Sequence, residues 1–216
     1  MWKQELAPFL NQNYDGIIKT IKNSSVQYGN LPIVPERKQI FNAFNTDPNN
    51  LWVVLLGMDP YPKIGVANGL SFSYTGENYT PQSLKNIFRE IRESVYNNGD
   101  VPDNFWETDL TKWSRQGVFL LNTALTTLAG MSGVHIELWK NFTKEVFKIL
   151  NKQHPLVFIL LGNEAKKFAP YINPKHFILE AGHPSPLNRK RDFLGSGVFV
   201  KANKILKEQY NVQIEW

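Results

Sequence analysis

Residues 51–69 read LWVVLLGMDPYPKIGVANG. Apolar residues run unbroken from Leu51 to Leu56, stop at Gly57, and are followed by one acid, Asp59, set against Pro60-Tyr61-Pro62. Alternating polarity would mark a strand with one wet face; unbroken apolarity over strand length marks a strand covered on both. Three further runs repeat the pattern: Val118–Leu121, Leu156–Leu161 and His176–Leu179. Segments of helical period lie between them. Ser83–Tyr96 spaces Leu84, Ile87, Phe88, Ile91 and Val95 by three or four behind the start signal Thr80-Pro81. Leu138–Leu150 does the same with Leu138, Phe142, Val146, Ile149 and Leu150. Helical segments are also expected around Ile17–Ile21 and Glu36–Phe44, and over Val198–Tyr210. Strands alternating with helices predict an α/β fold, a three-layer α/β/α domain around a central four-stranded parallel twisted sheet. With 216 residues and no repeat or dividing linker, a single domain over residues 1–216 is expected.

In such sheets ligands bind beyond the carboxyl ends of the strands. The exits here are GMDPYP, NTALT, GNEA and AGHPSPLN, so an acid, an amide and a histidine stand at three of the four. Taken singly, each has an ordinary reading. Asp59 before Pro60 is a turn starter, Asn122 a turn cap, His183 a loop histidine, and Phe72 in GLSFS a core residue. Leu187, between two prolines and the basic run Arg189-Lys190-Arg191, reads as packing under its own loop. Taken jointly these readings weaken, because a parallel sheet brings its exits together along one edge.

Composition narrows the chemistry. The chain is 42% hydrophobic and 13% aromatic, enough to bury a core. It has no cysteine, which removes disulfides, thiolate nucleophiles and zinc–thiolate sites, and its four histidines form no metal-spacing pair. No metal and no cofactor is expected. No apolar run approaches the ~20 residues of a membrane span, and MWKQELAPFLNQNY lacks the long apolar centre of a signal peptide. A soluble, cytoplasmic protein without membrane contact is expected. The net charge of +5 (24 basic against 19 acidic residues) favours a polyanionic partner.

Five segments together resemble the family 1 uracil-DNA glycosylases. GMDPYP is similar to that family's GQDPYH water-activating loop, NGLSFS to its GLAFS stacking segment, and TPQSLKNI to its PPSLxNI loop. QGVFLLNTALT is similar to its QGVLLLN-x-x-LT strand and turn, and HPSPLNRKRDFLGSGVFVKANKIL to its DNA-inserting block. The matches keep family order and fall on the elements that the apolar pattern assigns. The resemblance implies excision of uracil from single- and double-stranded DNA by a monomer. It makes the DNA-mimicking protein inhibitors of the family candidate partners. It also implies roles: Asp59 faces an oxocarbenium-like sugar and orients water, and His183 donates to uracil O2. The backbone of Met58 meets the base, Tyr61 excludes a C5 methyl, Phe72 stacks, and Asn122 reads O4 and N3. Ser83, Asn163, Ser185 and Asn188 would grip phosphates, Leu187 would enter the base stack, and Arg189, Lys190 and Arg191 would add salt-sensitive attraction.

The chain departs from the family at Met58 (usually Gln), Pro62 (usually His), Asn163 and Asn188 (usually Ser), and Thr127-Leu128 (usually Val-Arg). These changes spare the acid, amide and imidazole. Three rival readings stand at this point: a DNA-binding or polymerase-accessory protein on the same scaffold, a glycosylase for another damaged base, and a small-nucleotide hydrolase of doubly wound fold. The last leaves Leu187 and its basic neighbours unexplained and lacks a GxxxxGK phosphate loop.

Overall fold

In the computed structural model, which describes residues 1–216, the chain begins with a 26-residue helix, α1 (Trp2–Gln27). It continues through β1 (Ile33–Val34), three short 3-10 turns, β2 (Val53–Gly57), α2 (Gln82–Ser94), α3 (Thr111–Arg115) and β3 (Val118–Asn122). Then follow β4 (Thr127–Leu128), α4 (Ile136–Leu150), β5 (Val157–Leu161), α5 (Asn163–Lys166), β6 (Phe177–Ala181) and α6 (Val198–Tyr210). Four strands form a parallel sheet in the order β3-β2-β5-β6, and β1 pairs with β4 as a separate antiparallel ribbon. Every residue of β2, β3 and β5 is buried, as unbroken apolarity requires of strands covered on both faces. α1 packs on α4 and α2 packs on α6, which supplies the flanking helical layers. One apolar cluster of 51 buried residues runs through both interfaces.

The strand order places the site. From β2 the chain goes to β3 on one side, then returns across β2 to β5 on the other. That reversal opens a crevice at the carboxyl ends of β2 and β5.

Two expectations need correction. Glu36–Phe44 is not an α-helix but two 3-10 turns, Arg37–Gln39 and Asn42–Asn45. The segment lies between Pro35 and Pro48, too short for cooperative helix growth, and its Gln39 carbonyl is pressed against Gly69, where a Cβ would overlap it. His176–Leu179 is not covered on both faces: His176 precedes β6, and β6 is an edge strand with Ile178 and Glu180 exposed. The helix expected around Ile17–Ile21 is present as part of α1, whose start is anchored by Trp2, stacking on Phe119 with centroids 4.9 Å apart and donating from Nε1 to the Thr46 carbonyl at 2.7 Å. Pro8 and Gly16, which read as breakers, sit inside it.

His176 lies at the end of the sheet away from the crevice. Its Nδ1 accepts the Leu156 N–H at 2.9 Å, while its buried Nε2 has no partner. Burial, with Lys175 and His154 adding to it, lowers its pKa from 6.5 to about 4. The unfolded ring takes up a proton near pH 6.5, so the stability supplied by the neutral ring is complete above that pH and is lost as pH falls toward 4. Thermal melting is expected to show that loss, with His176 responsible for about 2 kcal/mol after solvent screening of Lys175. His176→Gln, which keeps an acceptor for Leu156, should flatten the slope over the same window.

Candidate active site

The exits of β2 and β3 are laced together. The Met58 carbonyl accepts from the Ala124 N–H at 2.9 Å and the Thr123 hydroxyl at 2.7 Å, and the Gly57 carbonyl accepts from the Thr123 N–H at 3.0 Å. Further along, the Pro62 carbonyl accepts from the Gly130 N–H at 2.9 Å. Gly57 and Asn122 are direct partners in the parallel register. A Cβ at Gly57 would stand 2.6 Å from Asn122 Oδ1 and 3.1 Å from the Phe72 ring, so only glycine leaves both side chains where they are. Asn122 is 4% exposed, yet its amide makes no hydrogen bond inside the protein and opens into the crevice. An amide left free of protein partners in this way is available to water or to a ligand in the crevice. Gly57→Ala is expected to displace that amide and to lower kcat/KM for the reaction at this site by about 10- to 100-fold.

Asp59 reaches across to the turn after β4. Ser132 Oγ lies 2.8 Å from each carboxylate oxygen, and the Gly133 N–H donates to Oδ2 at 2.5 Å. Burial raises the Asp59 pKa above 3.8, and the Gly133 and Ser132 hydrogen bonds oppose that shift. The sequence reading missed Ser132 and Gly133. Their only local signal is the small-residue turn Gly130-Met131-Ser132-Gly133, which predicts a bend without naming its partner.

Tyr61 and Phe72 form the apolar wall. The Tyr61 hydroxyl donates to the Phe72 carbonyl at 3.2 Å, so at its 3.2 Å contact with Ser83 Oγ it is the serine that donates. Tyr61 also packs edge-on against Tyr74 at 5.6 Å, and burial pushes its pKa far above the usual 10. Phe72 has a φ of 61°, the left-handed region that non-glycine residues rarely occupy. Such strain concentrates at functional sites, and here it accompanies a ring that faces the crevice.

His183 follows β6. Its Nδ1 accepts the Ser185 N–H at 3.0 Å, so the neutral ring carries its proton on Nε2 and presents a donor. Burial lowers its pKa below 6.5 and keeps it neutral. A Cβ at Gly162, where φ is 88°, would come within 2.9 Å of the His183 side chain, which explains the glycine at the end of β5.

The His183 loop then carries Leu187, 86% exposed, at its tip. Both ends of this loop are held by α2. Asn86 Nδ2 donates to the Pro184 carbonyl at 2.7 Å, and buried Glu90 accepts from the N–H groups of Gly195 and Gly197 at 2.5 and 2.7 Å. Asn188 braces the loop from within: its Nδ2 donates to the His183 carbonyl at 3.1 Å and to Asp192 at 2.9 Å. Both of its amide N–H groups are therefore engaged, leaving no free side-chain donor for a phosphate. Ser185 Oγ accepts the Leu187 N–H at 3.2 Å and keeps its own proton for another acceptor. Arg189, Lys190 and Arg191 are exposed and belong to none of the seven ion pairs.

Asp59, Asn122 and His183 line one cavity of about 590 Å³, together with Met58, Tyr61 and Phe72. Ser83, Asn163, Ser185, Leu187, Asn188, Arg189 and Lys190 line it as well; Arg191 does not. No group of three or more His, Asp or Glu side chains is placed to hold a metal ion.

A carboxylate, an unspent amide and a neutral imidazole donor are gathered at the switch point of a doubly wound sheet, beside an exposed leucine. The family model of the uracil DNA glycosylase superfamily matches residues 44–207. A uracil-DNA glycosylase of Clostridium beijerinckii is 41% identical over 220 residues, covering 100% of this chain and 94% of the relative. One from Fusobacterium nucleatum is 39% identical over 221 residues, with the same coverage of 100% and 94%. Among solved structures, mimivirus UNG Y322L in complex with UGI superposes with a TM-score of 0.86 at 29% identity, covering 100% of this chain and 87% of that one. The chain belongs to the uracil DNA glycosylase superfamily.

Proposed function

We propose that this chain is a family 1 uracil-DNA glycosylase. It everts uracil from single- or double-stranded DNA, hydrolyses the N-glycosidic bond, releases free uracil and leaves an abasic site for base excision repair. The observation that carries this reading is the single cavity shared by Asp59, Asn122 and His183, each with the valence that uracil requires. Bond breaking leaves positive charge on the sugar and negative charge on the departing base. The Asp59 carboxylate meets the first charge and orients the attacking water. The His183 Nε2–H meets the second at O2, as a positioned donor that need not give up its proton. Asn122 offers an N–H to O4 and a carbonyl to N3–H, the pattern of uracil and the reverse of cytosine. Tyr61, pinned between two prolines and hydrogen-bonded at its hydroxyl, occupies the space a C5 methyl would need, and the Phe72 ring stacks on the base.

Leu187 fills the gap left in the stack, while the unpaired Arg189 and Lys190 beside it attract the backbone. Met58 and Pro62 remove an amide and a ring donor from the family's loop without touching these contacts. The test is release of free uracil from single- and double-stranded oligonucleotides. Release from both is expected; release from neither would defeat the reading and favour the accessory-protein alternative.

A further inference from the structure

We infer that Ser132 is a positioning residue for hydrolysis, holding the Asp59 carboxylate in the one orientation from which it can direct water at the sugar. The inference rests on the glycosylase reading above and adds to it a residue outside the five matching segments. Ser132 Oγ stands 2.8 Å from both Oδ1 and Oδ2, while the Gly133 N–H reaches only Oδ2. Oδ1 therefore has the serine hydroxyl as its only hydrogen-bond donor in the protein. A single hydroxyl proton cannot serve both oxygens fully, so the hydroxyl can turn to Oδ2 when water donates to Oδ1, and neither oxygen is left unpaired. The rest of the neighbourhood offers no substitute. Pro60 and Pro62 have no N–H, the Met58 side chain has no donor, and the Thr127 hydroxyl is taken by the Met131 carbonyl. That Thr127–Met131 contact closes the turn that presents Ser132.

The turn is backed by a hydrogen-bond chain whose direction is fixed. The Trp139 indole donates to Thr126 Oγ1 at 2.7 Å, and Thr126 Oγ1 lies 2.9 Å from His135 Nδ1, which accepts its proton because the neutral ring carries its own on Nε2. The Ser24 hydroxyl donates to the Ile21 carbonyl, so His135 Nε2–H donates to Ser24 Oγ at 2.7 Å. The buried chain ties the Ser132 turn to α1 and α4, so the hydroxyl approaches Asp59 from a fixed base. Ser132 itself is exposed and has no other partner, so its truncation leaves the fold intact.

The experiment compares wild type, Ser132→Ala and Ser132→Thr for kcat and KM on a single-stranded uracil oligonucleotide across pH, with melting temperature as the folding control. Ser132→Ala is expected to lower kcat by about 10- to 100-fold with KM within a few-fold, the size of one hydrogen bond to a charged group. Its acid limb should move to higher pH, since burial raises the Asp59 pKa and Ser132 opposes that rise. The Gly133 N–H and the Thr127 hydroxyl also oppose that rise and remain in the variant; the titratable groups Tyr61, Glu164, His183, Arg189, Lys190 and Asp192 line the same cavity. Ser132→Thr, which keeps the hydroxyl, should restore both readouts. Wild-type kcat and an unmoved acid limb in Ser132→Ala would overturn the inference, as would a loss confined to KM. A wild-type protein that releases no uracil would instead overturn the glycosylase reading itself.

Discussion

Asp59→Asn is expected to reduce uracil release by about 1000-fold or more while raising the melting temperature. The rate falls because the amide cannot stabilise positive charge on the sugar or accept a proton from water, and electrostatic groups of this kind dominate such barriers. The stability gain follows from burial. The folded carboxyl has a raised pKa, so ionisation above that pKa costs stability that a neutral side chain does not lose. Asparagine also fits the contacts, with its oxygen accepting the Gly133 N–H and its amide donating to Ser132 Oγ. Activity and stability are thus predicted to move in opposite directions at one residue. Single-turnover kinetics and calorimetry on the same preparation measure both. A variant that is both slow and less stable would mean that Asp59 serves as a structural staple.

The second large effect is at His183. His183→Ala should lower kcat by about 100- to 1000-fold, the cost of one donor aimed at a developing oxyanion, with KM raised only a few-fold. The pH profile distinguishes a neutral donor from an acid. Burial lowers the His183 pKa and so favours the neutral ring, and activity should not fall as the ring gives up its proton. The Asp59 pKa is shifted the other way, above 3.8. The acid limb of wild-type activity should therefore lie above the range of an ordinary exposed carboxylate. A loss of activity on raising pH through 6.5 would show that the imidazolium is the working form.

The central strands were legible from sequence because burial on both faces leaves unbroken apolar runs, as at residues 51–56, 118–121 and 156–161. The edge strand β6 was harder: half of it meets solvent, so its short run suggested more cover than it has. Glu36–Phe44 misled because apolar residues spaced by three or four also suit two successive 3-10 turns. In the site, Asp59, Asn122 and His183 could be found because each ends a recognisable run. Ser132, Gly133 and Glu90 could not. Their partners lie 73, 74 and 105 or more residues away in the chain, and local composition carries no trace of such a contact. The left-handed backbone of Phe72 was hidden for a related reason, since phenylalanine is a residue that no local rule puts there.

The grip of α2 on both ends of the Leu187 loop bears on how the protein searches DNA. With Pro184 tied to Asn86, and Gly195 and Gly197 tied to Glu90, the span between the anchors is set by one rigid rod. In the proposed reading, ends fixed in this way leave the loop less conformational freedom to surrender when Leu187 enters a base stack, which lowers the entropic cost of each probe.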